Sequence, residues 1–228
     1  MSGQAVFLQV RLDSSRLPRK ALLPLEGKPV ILHAMEALSE VGVDRHVLLT
    51  DEESAEDLAP LAERGGFELF TGPREDVLER FALAVERYGV ETFLRATGDN
   101  PLVSAGCAGA LLELHLLKGA DYSGYRGLPL GTGVECVRGA ALLEARRRAV
   151  RPYDREHVCP YLYTHPESFA IFTPEAPEKC RAPELRVTLD TAEDYERLKL
   201  IFSRLYRGKP IQTAELVGTF GRSPAVSR

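Results

Sequence analysis

The sequence predicts an α/β fold, a single domain on a mostly parallel sheet covered by helices on both faces, and two features carry that prediction. Short apolar runs alternate with segments of helical periodicity from residue 5 to residue 97, a rhythm that implies parallel βαβ units. The 228 residues contain neither an internal repeat nor a linker of disordered composition, so one domain is the simplest partition.

Residues 5–10, AVFLQV, are a short apolar run before a polar loop and read as a buried first strand. Pro29 stands where a helix can begin, and Ile31, Leu32, Met35 and Leu38 mark its inner face. RHVLLT at 45–50 is a second strand, residues 51–64 a helix closed by Gly65 and Gly66, and residues 67–70 a third strand. In the next helix Val77, Leu78, Phe81, Ala82, Val85 and Tyr88 form one stripe, which Gly89 ends. Residues 91–97, ETFLRAT, are a fourth strand, followed by the turn GDNP and a helix over 103–118. Regularity then breaks. Strands are expected near 121–123 and 134–137, helices over 139–149 and 154–164, and a strand near 169–173. A last strand, LRVTL, runs into Asp190 and a helix over 191–206. A substrate-side lobe is expected over about 120–180, and the stretch from about 218 to 228 is expected to be loosely held.

Composition excludes several function classes. The formal net charge is −4, so no dominant positive field exists to collect a nucleic-acid backbone. Cys107, Cys136, Cys159 and Cys180 form no CxxC pair, which argues for reduced thiols in the cytoplasm rather than a disulfide framework or a zinc ribbon. No stretch of eighteen apolar residues occurs and the first ten residues carry no positive charge cluster, so neither membrane spanning nor secretion is expected.

Chemistry concentrates after the first strand. Arg11, Arg16, Arg19 and Lys20 are interleaved with Ser14 and Ser15, and Pro18 and Pro24 stiffen the path. Arginine forks, a lysine point charge and hydroxyls suit a polyphosphate, although a solvated basic surface loop has the same composition. Its position at the carboxyl edge of a parallel sheet is where open α/β folds bind ligands. Gly27-Lys28 has no glycine five residues earlier, so it is not a Walker loop, and GTGVEC at 131–136 lacks the third glycine of a dinucleotide fingerprint. Asp99 and Asp190 each follow a predicted strand and would face the same edge, enough for magnesium when substrate phosphates complete the shell. Asp190 equally suits a helix N-cap with Glu193 three residues on, and Asp99 a turn. His157, Cys159 and His165 lie close in sequence but read as core or capping groups before metal ligands. The run ARRRAVRP at 145–152 reads as a solvated helix end.

Six segments in one order carry a family resemblance: QVRLDSSRLPRKALLPLEGKPV, GPREDVLERF, LRATGDNPLV, GVECVRGAALLEA, DREHVCPYLY and VTLDTAEDYE. Together they resemble the spore coat polysaccharide biosynthesis protein F type of cytidylyltransferase, and more distantly the synthetases of CMP-linked sugar acids. The resemblance implies a three-layer α/β/α nucleotide-diphospho-sugar transferase-like fold with a mostly parallel mixed sheet. It also implies an enzyme that couples an NTP, expected to be CTP, to a sugar acid or sugar phosphate for surface polysaccharide, with release of pyrophosphate. By the same resemblance Arg11, Ser14, Ser15, Arg16 and Lys20 hold the triphosphate, with Arg11, Arg16 and Lys20 acting on the leaving group. Asp99 and Asp190 hold Mg2+, Arg95 the nucleotide side, and Glu135 the sugar side. Glu156 and His157 either order the sugar side or, for His157, fill a core position. A homodimer is implied too. Two alternatives remain at this stage: another NTP, or a non-catalytic nucleotide-binding subunit of the same fold. The chain departs from the family at residue 19, where Arg replaces the usual Gly, and Pro101 excludes the Asp-x-Asp of metal-dependent glycosyltransferases.

Overall fold

The computed structural model describes residues 3–221. Its first strand, β1 (Gln4–Gln9), alternates between two cores. Val6 and Leu8 point to one face, Ala5 and Phe7 to the other, and all four are buried, the two-residue period of a strand covered on both sides.

After β1 the basic loop ends in a single 3-10 turn (Lys20–Leu22) and a small hairpin, β2 (Pro24–Leu25) and β3 (Lys28–Pro29). Glu26 and Gly27 both have positive φ, 45° and 83°, as a two-residue turn matching strand twist requires. Then follow α1 (Val30–Leu38), β4 (Arg45–Thr50), α2 (Glu52–Gly65), β5 (Glu68–Thr71), α3 (Val77–Tyr88), β6 (Thr92–Thr97) and α4 (Ala105–Lys118). Asp51 and Asp76 cap α2 and α3 by accepting from the N–H groups of Ser54 and Glu79. The predicted boundaries of these elements hold within two residues. Beyond α4 come β7 (Tyr122–Gly124), β8 (Glu135–Arg138), α5 (Gly139–Arg148), α6 (Pro152–His157), α7 (Pro160–Tyr163), β9 (Ile171–Phe172), α8 (Ala192–Leu205) and α9 (Thr213–Phe220).

The seven-stranded sheet runs β5-β4-β1-β6-β8-β7-β9. β5, β4, β1 and β6 are mutually parallel, and β8 runs against both its neighbours, so the sheet is mixed and mostly parallel as expected. Helices α1, α2 and α4 cover one face, and α3, α5 and the α6–α7 segment the other. Residues 120–180 thus add three strands to this sheet. A third cluster, in which α8 and α9 meet Leu25, Val30, Leu102, Val187 and Leu189, lies beside the hairpin.

Three expectations change. LRVTL is no sheet strand: its extended pairing is a single bridge to the loop at Leu130, through Leu130 N–H to the Leu185 carbonyl and Val187 N–H to the Leu130 carbonyl. The helix expected over 154–164 breaks at Val158, whose φ of 73° ends α6. Residues 218–220 of the stretch expected to be loosely held belong to α9, whose Phe220 is buried; residues 222–228 of that stretch lie outside the described residues. In the basic run, Arg147 and Arg148 are solvated as predicted, whereas Arg146 bonds Glu79 and Glu86 and ties α5 to α3. Among the described residues no helix is long and apolar enough to cross a membrane.

Candidate active site

The carboxyl ends of β1 and β6 open into a cleft of about 480 Å3 whose lining includes Arg11, Ser14, Ser15, Arg16, Lys20 and Asp99. The loop that carries most of them is tied at several points. Leu12 N–H donates to Ser54 Oγ at 3.1 Å, Arg19 N–H to the Leu12 carbonyl at 3.1 Å, and Arg74 to Asp13 at 2.6 Å. Arg74 also bonds Glu53. Buried Arg80 in turn donates to the carbonyls of Pro73 and Arg74 and fixes the segment that carries Arg74. Gly98 allows the exit of β6 to pack against this region, since a Cβ there would lie 3.0 Å from Val10 and 3.2 Å from Ile31.

At residue 19 the backbone is left-handed, φ 54° and ψ 29°. This is a glycine conformation occupied by an arginine. The side chain turns away to α2, where it pairs with Asp57 at 2.9 Å, and Arg19 is absent from the cleft lining.

Lys20 brings the two aspartates together. Its Nζ lies 2.5 Å from Asp99 Oδ2, 2.9 Å from Asp190 Oδ1 and 2.7 Å from the Leu189 carbonyl. Burial disfavours the ammonium, but Asp99 and Asp190 outweigh it and hold Lys20 above its usual value. For Asp190 burial likewise disfavours charge, and Lys20, Arg186 and Arg16 more than offset it, leaving the carboxyl below its usual value. Asp190 is not the helix N-cap. Thr191 is, in a capping box with Asp194 rather than Glu193, which leaves the Asp190 side chain for Lys20 and Arg186. Asp194 accepts the Asp190 and Thr191 N–H groups at 3.0 and 3.1 Å, while Arg186 donates to Asp190 Oδ2 at 2.8 Å.

Two smaller pockets adjoin. One, of about 330 Å3, is lined by Arg95, Asn100, Tyr122, Tyr125 and Glu135 among others. Arg95 bonds Glu135, Tyr122 donates to Glu135 Oε1 at 2.9 Å, and Arg95 Nε donates to Gln9 Oε1 at 2.9 Å. Burial opposes the Arg95 charge, and Glu135 overrides it and raises the guanidinium. Asn100 donates to Thr97 at 2.7 Å, and its Oδ1 is buried with no partner. The other pocket, about 170 Å3, holds Glu156 and His157 with Gln9, Arg11, Arg80 and Arg95. His157 is exposed against the Tyr153 ring, 4.4 Å between centroids, so it is not a core histidine. The four cysteines are free and buried. Among the described residues no cluster of three or more His, Cys, Asp or Glu could hold a metal.

Of the residues singled out in the sequence, Arg11, Ser14, Ser15, Arg16, Lys20 and Asp99 line one cleft, and Asp190 contacts Lys20 beside it. Sequence reasoning missed Gln9, Arg74, Arg80, Tyr122, Arg186 and Asp194, which act on neighbours. Gln9, Arg74, Arg80 and Asp194 lie inside the six matching segments and Arg186 directly precedes the last of them, so their positions were marked but their contacts were not.

Comparison with known proteins agrees with the six-segment resemblance. The cytidylyltransferase family model matches residues 5–213. The chain is 32% identical over 231 residues to the spore coat polysaccharide biosynthesis protein SpsF of Bacillus subtilis, covering 98% of this chain and 96% of that protein. A cytidylyltransferase structure from Leptospira borgpetersenii superposes with a TM-score of 0.91 at 26% identity, over 100% of this chain and 98% of the other. A CMP:2-keto-3-deoxy-manno-octonic acid synthetase complexed with CTP gives a TM-score of 0.69 at 17% identity, over 88% and 98% of the two chains, and shares the fold.

Proposed function

The chain belongs to the cytidylyltransferase family, and we propose that it transfers the cytidylyl group of CTP to an oxygen of a sugar acid or sugar phosphate, releasing pyrophosphate, to activate a sugar for surface polysaccharide. The observation that carries this reading is the convergence of Lys20, Asp99 and Asp190 at one end of a cleft whose loop supplies Arg11, Ser14, Ser15 and Arg16. An acceptor oxygen attacks the α-phosphorus in line while the bond from that phosphorus to the oxygen bridging the β-phosphate breaks. Negative charge builds on the departing pyrophosphate, and the loop cations stabilise it. At an effective dielectric near 20, a cation about 4 Å from one phosphate charge contributes roughly 4 kcal/mol.

Asp99 and Asp190 would hold Mg2+. Both touch one ammonium nitrogen, so both can reach a single cation, and carboxylate oxygens are the hard donors magnesium takes beside phosphates and water. When bound, the ion would neutralise triphosphate charge. An acceptor phosphate arrives ionised and needs no base. A hydroxyl must lose its proton, and Asp190, held below its usual value, takes it up weakly. Arg95 and Glu135 would separate the nucleotide from the acceptor, and the unpartnered Oδ1 of Asn100 suits a sugar hydroxyl. Glu156 and His157, next to Arg11, would border the same substrate.

Initial rates of pyrophosphate release with each of the four NTPs across a panel of sugar acids and sugar phosphates test this. CTP-dependent release is expected. Preference for another NTP overturns the base assignment, and no release with any pair overturns the activity.

A further inference from the structure

Lys20 is held more completely than a phosphate ligand needs to be. An ammonium has three N–H donors, and three acceptors take them: Asp99 Oδ2, Asp190 Oδ1 and the Leu189 carbonyl. Its side chain is 13% exposed, and one of the acceptors is main chain, so the seat is shaped by the backbone as well as by carboxylates. In this arrangement no donor remains for a phosphate oxygen.

We propose that the aspartate pair is a shared cation seat, taken in turn by the Lys20 ammonium and by a divalent ion, and that a nucleoside triphosphate moves Lys20 from the seat to its phosphates. The inference rests on the metal reading of Asp99 and Asp190 given above. A divalent ion at the pair would stand beside Nζ, and like charges so close exclude one another. Without nucleotide the ammonium has only water to leave for, so the ion binds weakly. With a triphosphate present, the departing ammonium meets phosphate oxygens, where its charge-assisted bonds re-form. Ion and nucleotide then raise each other's affinity by one common factor. Arg16 also reaches Asp190, at 3.4 Å, but is 67% exposed and touches neither Asp99 nor the Leu189 carbonyl in the contacts that hold Lys20.

Mn2+ binding to the nucleotide-free protein, followed by electron spin resonance, tests the seat without reference to turnover. Lys20→Met and Lys20→Gln should each bind Mn2+ about tenfold or more tighter than the unaltered protein, within the usual span of coupling factors. Adding Asp99→Asn to Lys20→Met should remove that gain, and a nonhydrolysable CTP analogue should tighten Mn2+ binding more in the unaltered protein than in Lys20→Met. Melting curves verify that each variant is folded. Equal or weaker Mn2+ binding by both Lys20 variants, with Asp99→Asn still abolishing it, overturns the shared seat and leaves the metal reading standing. Binding that ignores Asp99→Asn overturns both.

Discussion

Arginine at residue 19 sits in a backbone conformation that costs an L-residue with a side chain about 1 kcal/mol more than glycine. Its exposed pair with Asp57 returns little. Urea unfolding should therefore find Arg19→Gly more stable than Arg19→Ala by about 1 kcal/mol. An alanine variant as stable as the glycine one would refute the left-handed backbone. Neither change should alter pyrophosphate release much, because this side chain faces α2. Lys20→Ala and Asp99→Asn stand in contrast: release from CTP should fall by two orders of magnitude or more, about 3 kcal/mol of barrier, while melting temperature moves little. Retained metal-dependent turnover in Asp99→Asn would remove that residue from the site. At this scale the sequence was informative wherever a charge follows a strand. Lys20 and Asp99 were legible because the first and fourth strands are unmistakable apolar runs. Gln9, Tyr122 and Arg80 were not, since a neutral amide, a buried phenol and a helical arginine have many structural uses and nothing local selects one.

Among elements, the segment from Leu185 to Asp194 shows how a residue can reach its expected neighbourhood from an element of a different kind. Leu185, Val187 and Leu189 are all buried, the alternation of a strand, yet the pairing partner that would make it one lies outside any local pattern. The stretch is extended and still brings Asp190 against Lys20, which lines the cleft. What aims it is the start of α8. Thr191 accepts from Asp194 N–H while Asp194 accepts from the Asp190 and Thr191 N–H groups, so Thr191→Ala should cost about 1 kcal/mol of stability and weaken metal-dependent activity with it. Unfolding and turnover measured on the same preparation check this; full activity at reduced stability would uncouple the cap from the carboxylate. The helix α9 escaped notice because it is short, contains Gly218, and buries only Thr213, Leu216 and Phe220. The break at Val158 was equally invisible, since valine is the last residue a positive φ would suggest.

For the whole molecule, the two cores on either side of the sheet were legible from periodicity alone, whereas the third, beside the hairpin, joins segments too distant for any window to connect. Acid stability reports on these interiors. His33 and His115 are buried, and that burial pushes both imidazoles down to about 4, against the opposing pull of the Leu25 carbonyl on His33 and of Asp121 on His115. Lys28 and Arg138 add to the depression, and Glu36 opposes it at His33. Between about 6.5 and 4 the unfolded chain binds protons that the folded one refuses, so stability is fully present above the upper value and declines as pH falls. Each histidine should account for roughly 3 kcal/mol over that window. Urea midpoints from pH 7 to 4.5 should fall accordingly, and His115→Gln should flatten the curve; an unchanged slope would rule out a neutral buried imidazole. One contact described above also bears on synthesis. Lys20 and Asp190 are 170 residues apart, and every strand of the sheet precedes Asp190. A nascent chain stalled just short of that residue already has a complete set of strands, with its basic loop and first aspartate in hand. The site therefore acquires its second carboxylate only after every strand of the sheet has been synthesised.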